Sequence, residues 1–124
     1  MGLIDELLSA LGKHSLWKGK IKIALTNGNL ADIKEIVTDN HKCDFGKWLY
    51  DNNTVAEFKE GGFDTYYNEI ELLHKQVHKV ATEILNEANK GNKDKALQSF
   101  ETGGKMSKIF MEFTKSINKL SKIL

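Results

Sequence analysis

Apolar residues recur three or four apart at Leu3, Ile4, Leu7, Leu8, Leu11, Trp17, Ile21, Ala24 and Leu25. That period predicts a long amphipathic helix over residues 3–25. His14 stands in the stripe three residues after Leu11 and three before Trp17, where an apolar residue is expected, so it should face the core. Gly12 and Gly19 weaken a helix and allow a kink near either. Thr26-Asn-Gly-Asn29 reads as a turn, and Leu30 to Val37 as a short helix. Thr38-Asp-Asn-His41 breaks the pattern. Phe45, Trp48 and Leu49 then predict a short helix whose start carries Cys43. Asp51-Asn-Asn should end it, and Thr54-Val-Ala-Glu57 has the capping-box form of another short helix reaching about Glu60.

After Gly61-Gly62, Asp64 is a good N-cap for a third long helix to about Lys90. Its inner face reads Tyr66 or Tyr67, Ile70, Leu73, His74, Val77, His78, Ala81, Ile84, Leu85 and Ala88. Gly91 suits a helix stop and Asn92 the start of a last helix, periodic through Leu97, Phe100, Ile109, Phe110, Phe113, Ile117, Leu120 and Leu124, with a bend at Gly103-Gly104. The economical arrangement is all-α: an antiparallel four-helix bundle with short helices around the Cys43 segment, forming a single domain over residues 1–124. Abundant Leu, Lys, Ile, Ala and Glu and the absence of proline agree with it.

Charge and cysteine usage narrow the function. The formal net charge is +1 and every basic residue is lysine. Neither a strong field nor the planar fork of arginine recommends nucleic acid as a partner. No stretch approaches the roughly 20 apolar residues of a membrane span, and a lone cysteine fits a reducing compartment. The expectation is a soluble cytoplasmic protein.

The candidate chemistry lies in His14, Cys43, His74 and His78. His74 and His78 are four residues apart on an apolar stripe, so both rings leave one helix face and can meet one ion. A polar ring turned inward needs a partner to offset its desolvation. Taken singly, an inward histidine is more often a hydrogen-bonded core residue and a buried cysteine inert packing. Three histidines and the only cysteine falling on or beside inward stripes set an ion beside that reading as its equal, since three imidazoles with one thiolate form a closed tetrahedral set suited to zinc.

His14-Ser-Leu-Trp17, Cys43-Asp-Phe45-Gly46-Lys-Trp48 and His74-Lys-Gln-Val-His78, separated by residues 18–42 and 49–73, 25 each, resemble the signature of the chemoreceptor zinc-binding (CZB) domain family. The resemblance implies one zinc ion held by His14, Cys43, His74 and His78 in a helical bundle. It further implies a cytosolic role in bacterial signalling of the chemotaxis or cyclic-di-GMP type, sensing zinc or oxidants such as hypochlorous acid, often as a homodimer. With no cyclase or methyl-accepting segment in the sequence, a signal would leave through a bacterial signalling partner or through dimer geometry. Trp17, Phe45 and Trp48 read as packing anchors, Gly46 as a point of close approach, and His41 as exposed.

Three other readings compete. A zinc hydrolase needs an open metal position and a general base, but His74 is followed by Lys75 and Gln76, so enzymatic activity is not expected. A di-iron haemerythrin-like oxygen binder needs inward carboxylates that the stripes lack. A structural zinc-stabilised dimerisation module would use the same four ligands.

Overall fold

The computed structural model describes residues 2–124. Among the described residues seven helices follow one another: α1 (Leu3–Asn27), α2 (Leu30–Thr38), α3 (Asp44–Leu49), α4 (Asn52–Glu60), α5 (Asp64–Asn89), α6 (Lys93–Gln98) and α7 (Lys105–Ile123). No strand occurs among the described residues. The molecule is all-α, as the periodicity predicts. α2 and α7 each pack against both α1 and α5, so the four helices form a ring with α1 and α5 standing across it from each other. α3 lies against α1 and α4, and α6 fills the space between α1 and α5 at one end.

The core runs the length of this bundle. Leu7, Ile21, Leu25, Ile70, Val77, Met106, Phe113, Ile117 and Leu120 are buried, with Phe45 and Leu49 added by α3 and Phe58 by α4. Each such side chain contributes about 1.5–3 kcal/mol of hydrophobic stabilisation. The inner face of α5 is the predicted one: Ile70, His74, Val77, His78, Ala81, Ile84 and Leu85 are buried.

Three local expectations are corrected. α1 runs unbroken past Gly12 and Gly19, and Leu8, assigned to the core stripe, is 44% exposed on the outer side of the helix. α4 is capped by Asp51 rather than by Thr54 and starts at Asn52, three residues earlier than the capping box implies, because the Asp51 carboxylate accepts the Asn53 N–H at 3.0 Å; Thr54 is buried instead. The last segment is two helices and not one bent helix. Gly103 has a φ of 85°, which L side chains rarely adopt, and a Cβ on Gly104 would strike the carbonyls of Gln98 and Ser99. The turn so formed lets Ser99 accept the N–H groups of Met106 and Ser107, which satisfies the first turn of α7. No helix of the described residues is long and apolar enough to cross a membrane.

Candidate metal centre

The C-terminal end of α2 positions much of the site. A helix end leaves its last carbonyls without helical partners, and here two of them receive side chains from the facing helices. The Ile36 carbonyl accepts the Trp17 indole N–H at 2.9 Å, and the Val37 carbonyl lies 2.8 Å from His78 Nδ1. A carbonyl oxygen only accepts, so His78 carries its proton on Nδ1 and leaves Nε2 as a bare lone pair. Such a bond to the non-ligating nitrogen fixes the tautomer and orientation of a metal-binding imidazole.

Cys43 is delivered by the turn that follows. It is the N-cap of α3, with φ −74° and ψ 158°, and its Sγ accepts the Gly46 N–H at 3.2 Å. The side chain thereby holds a partial positive charge against sulfur, which favours a thiolate. Gly46 is required for a second reason: a Cβ there would collide with the backbone of Asn40 and His41. Sequence reading expected a close approach at Gly46, and the neighbour proves to be the 40–41 turn. Replacing Gly46 by alanine is expected to destabilise the chain by roughly 3 kcal/mol, since backbone rather than a flexible side chain must move. Urea unfolding checks this, and an unchanged midpoint would contradict it.

His14 from α1 and His74 and His78 from α5 meet Cys43 across the bundle. Nε2 of His14 lies 3.1 Å from Nε2 of His74 and 3.3 Å from that of His78, and Cys43 Sγ lies 3.3 Å from Nε2 of both His74 and His78. One ligand atom from each of the four residues falls within 4.8 Å of the others, and all four residues are buried. Hydrogen bonding does not account for this convergence. His14 Nε2 touches two other Nε2 atoms, and a single ring hydrogen can point at one of them.

The spacing fits an ion. Around a tetrahedral centre with metal–nitrogen lengths near 2.0–2.1 Å and metal–sulfur near 2.3 Å, the edges come to roughly 3.3 Å between nitrogens and about 3.6 Å between nitrogen and sulfur. A closed set of three imidazoles and one sulfur is zinc chemistry, with no position left for a substrate water. The four predicted residues are thus brought together, and His41 is not among them. It is exposed, stacked on Tyr50 at 4.1 Å between ring centroids.

Aromatic rings pack around the three histidines. Trp17 packs 4.2 Å from the His14 ring and 4.6 Å from His78, and Phe45 lies 4.9 Å from His74, as packing anchors should. Trp48 stands behind Phe45 at 5.5 Å. From α7, Phe110 and Phe113 lie 5.7 and 5.3 Å from His14. These two were legible as core positions, but not as walls of the metal centre. The Val37 carbonyl carried no side-chain signal at all.

Burial sets the electrostatics of the metal-free chain. It lowers His14 well below the usual histidine range, helped by the neighbouring His74 and His78 rings, and pushes His74 down to about 2. His78 is lowered less, because the Val37 carbonyl supports its protonated form. Burial also pushes the Cys43 thiol up to about 11, against the opposing N–H groups of Gly46 and Phe45. At neutral pH the three rings are therefore ready donors, while the thiol must lose its proton to become one. Loading zinc at pH 7.5 is expected to release about one proton per chain. Calorimetric titration in buffers of different ionisation enthalpy measures this, and zero or three protons would contradict the assignment.

The family model for the chemoreceptor zinc-binding domain matches residues 14–85. No curated protein and no solved structure matches the chain. The matched stretch opens on His14, takes in Cys43, His74 and His78, and spans more than half of the sequence; this protein belongs to the chemoreceptor zinc-binding domain family.

Proposed function

We propose that this chain is a zinc-loaded, non-catalytic sensor of bacterial signalling, of the chemotaxis or cyclic-di-GMP type, in which zinc is held by His14, Cys43, His74 and His78 and Cys43 is the ligand that leaves. The observation that carries this reading is the unequal mounting of the four ligands. His14, His74 and His78 sit inside helices of 25 and 26 residues, whereas Cys43 caps a helix of six between turns. A helix of six residues between turns has few internal hydrogen bonds to break, so it opens at lower free energy than the interior of a long helix.

Cys43, though buried, is also the one of the four that borders a surface cleft. It lines a surface cleft of about 200 Å³ together with Trp17, Ile36 and Asp44, and Lys13, Lys20, Lys42 and Lys47 stand around it. The cleft admits a small molecule and not a peptide, and its charge favours an anion. Zinc supplies one thing here: it holds the sulfur as thiolate, the form that electrophilic oxidants attack.

With hypochlorous acid, chlorine is transferred to sulfur and hydroxide leaves. Water then displaces chloride, giving sulfenic acid and a proton, so sulfur loses two electrons and chlorine gains them. The oxidised sulfur is a poor ligand, and α3 is freed to move. Metal shortage would release the same element.

The test is zinc release into a chromogenic chelator. Wild type should release its metal on equimolar hypochlorite, and preloaded Cys43→Ser should keep it. Equal release from both would sink the proposal. No release from wild type would favour a static zinc-stabilised dimerisation module.

A further inference from the structure

The formal net charge of +1 conceals an uneven distribution. Residues 105–124 hold five lysines and one glutamate, a net of +4, which leaves −3 over residues 1–104. The five lysines also share one side of α7. At 3.6 residues per turn Lys105, Lys108, Lys115, Lys119 and Lys122 fall within an arc of roughly 100° and form a row about 26 Å long. That arc lies opposite the buried face formed by Phe110, Phe113, Ile117 and Leu120. All five lysines are exposed, and among the described residues none of them is in an ion pair, whereas Lys42, Lys75 and Lys95 each have a carboxylate. Glu112 is the only acid of α7. Like charges three and four residues apart, as Lys115, Lys119 and Lys122 are, slightly destabilise a helix, so the fold gains nothing from this row.

The margins of the row say what it meets. Met111 on one edge is 57% exposed and Ile123 on the other 52%. Apolar side chains flanking lysines suit an interface in which ammonium groups reach anionic headgroups while their neighbours reach the acyl boundary. Duplex nucleic acid offers phosphates without that apolar layer, and the chain has no arginine for the bidentate contacts that favour it. We propose that the outer face of α7 docks on an anionic lipid surface, with the five lysines on the headgroups and Met111 and Ile123 entering at the margins. This goes beyond zinc-linked sensing and does not rest on it. α2 and α7 stand across the ring of helices from each other, so a chain lying on α7 turns α2, and the Cys43 cleft beside it, toward the water.

Co-sedimentation of the zinc-loaded full chain with lipid vesicles at physiological ionic strength tests this. The chain should bind vesicles of mixed phosphatidylglycerol and phosphatidylcholine and leave those of phosphatidylcholine alone in suspension without it. A lysine near an anionic surface contributes a factor of roughly five to partitioning, so Lys115→Gln combined with Lys119→Gln should weaken binding roughly 30-fold. Lys34→Gln with Lys59→Gln removes the same charge from exposed sites on α2 and α4 and should bind like wild type. Met111→Ser should weaken binding severalfold with the charge unchanged. All variants should keep wild-type helicity and zinc content, since each replaced side chain is exposed. No binding to the anionic vesicles, equal binding to neutral ones, equal loss in the two lysine pairs, full binding by Met111→Ser, or tighter binding to duplex DNA than to the vesicles would each overturn the proposal.

Discussion

Replacing His74 by alanine should lower zinc affinity on the order of 10²–10³-fold, taking a quarter of the roughly 10–16 kcal/mol of a four-ligand structural site. The loss should exceed that of any change outside the cluster. His74 Nε2 lies 3.1 Å from His14 Nε2 and 3.3 Å from Cys43 Sγ, so its removal opens one corner of the set and leaves the others without a common centre. A second cost is steric. The ring is fully buried against Phe45 and Phe113, and large-to-alanine truncation in a packed core destabilises by about 2–5 kcal/mol through the cavity left behind. His41→Ala is the control, being exposed and outside the cluster. Competition against a chelator of known affinity makes the comparison; equal affinity in the two variants would remove His74 from the site.

Removing the metal from wild type should produce a large but local loss of order. A ligand that binds only the folded state stabilises by its mass-action term, about 4 kcal/mol when free zinc stands a thousandfold above the dissociation constant. That loss should lower the melting temperature by roughly 10–20 °C for a chain of this size. The bundle should nonetheless stay helical. α1, α5 and α7 share an apolar core that continues on both sides of the site, from Leu7, Ile70 and Leu120 at one end to Leu25, Ile84 and Met106 at the other. The loosening should concentrate where the ligand is weakly mounted. Amides of residues 39–50, around Cys43 and α3, should lose exchange protection first, and those of α5 last. Collapse of the whole chain on chelation would instead make zinc a staple of the fold.

The helices were legible because their inner faces repeat with helical period over many turns, as in the run from Ile70 to Leu85 on α5. The four ligands were legible because His14, His74 and His78 each interrupt such a face and Cys43 opens the next short helix. What the residues did not declare is geometry made by backbone. The Val37 carbonyl orients His78 because α2 ends there, and no side-chain pattern announces a free carbonyl. The start of α4 went astray because Asp51 and Thr54 are both competent caps, and the choice between them is made by burial of Thr54. Leu8 was placed inside because α1 is apolar on two sides, and period alone does not say which side meets the bundle.

The central claim is that one zinc ion is held by these four residues. Elemental analysis of the chain purified under mild, chelator-free conditions tests it most directly, with X-ray absorption at the zinc edge on the same sample. The account predicts one zinc per chain, bound by three nitrogens near 2.0–2.1 Å and one sulfur near 2.3 Å. Metal well below one equivalent, or a zinc shell without sulfur, would contradict it.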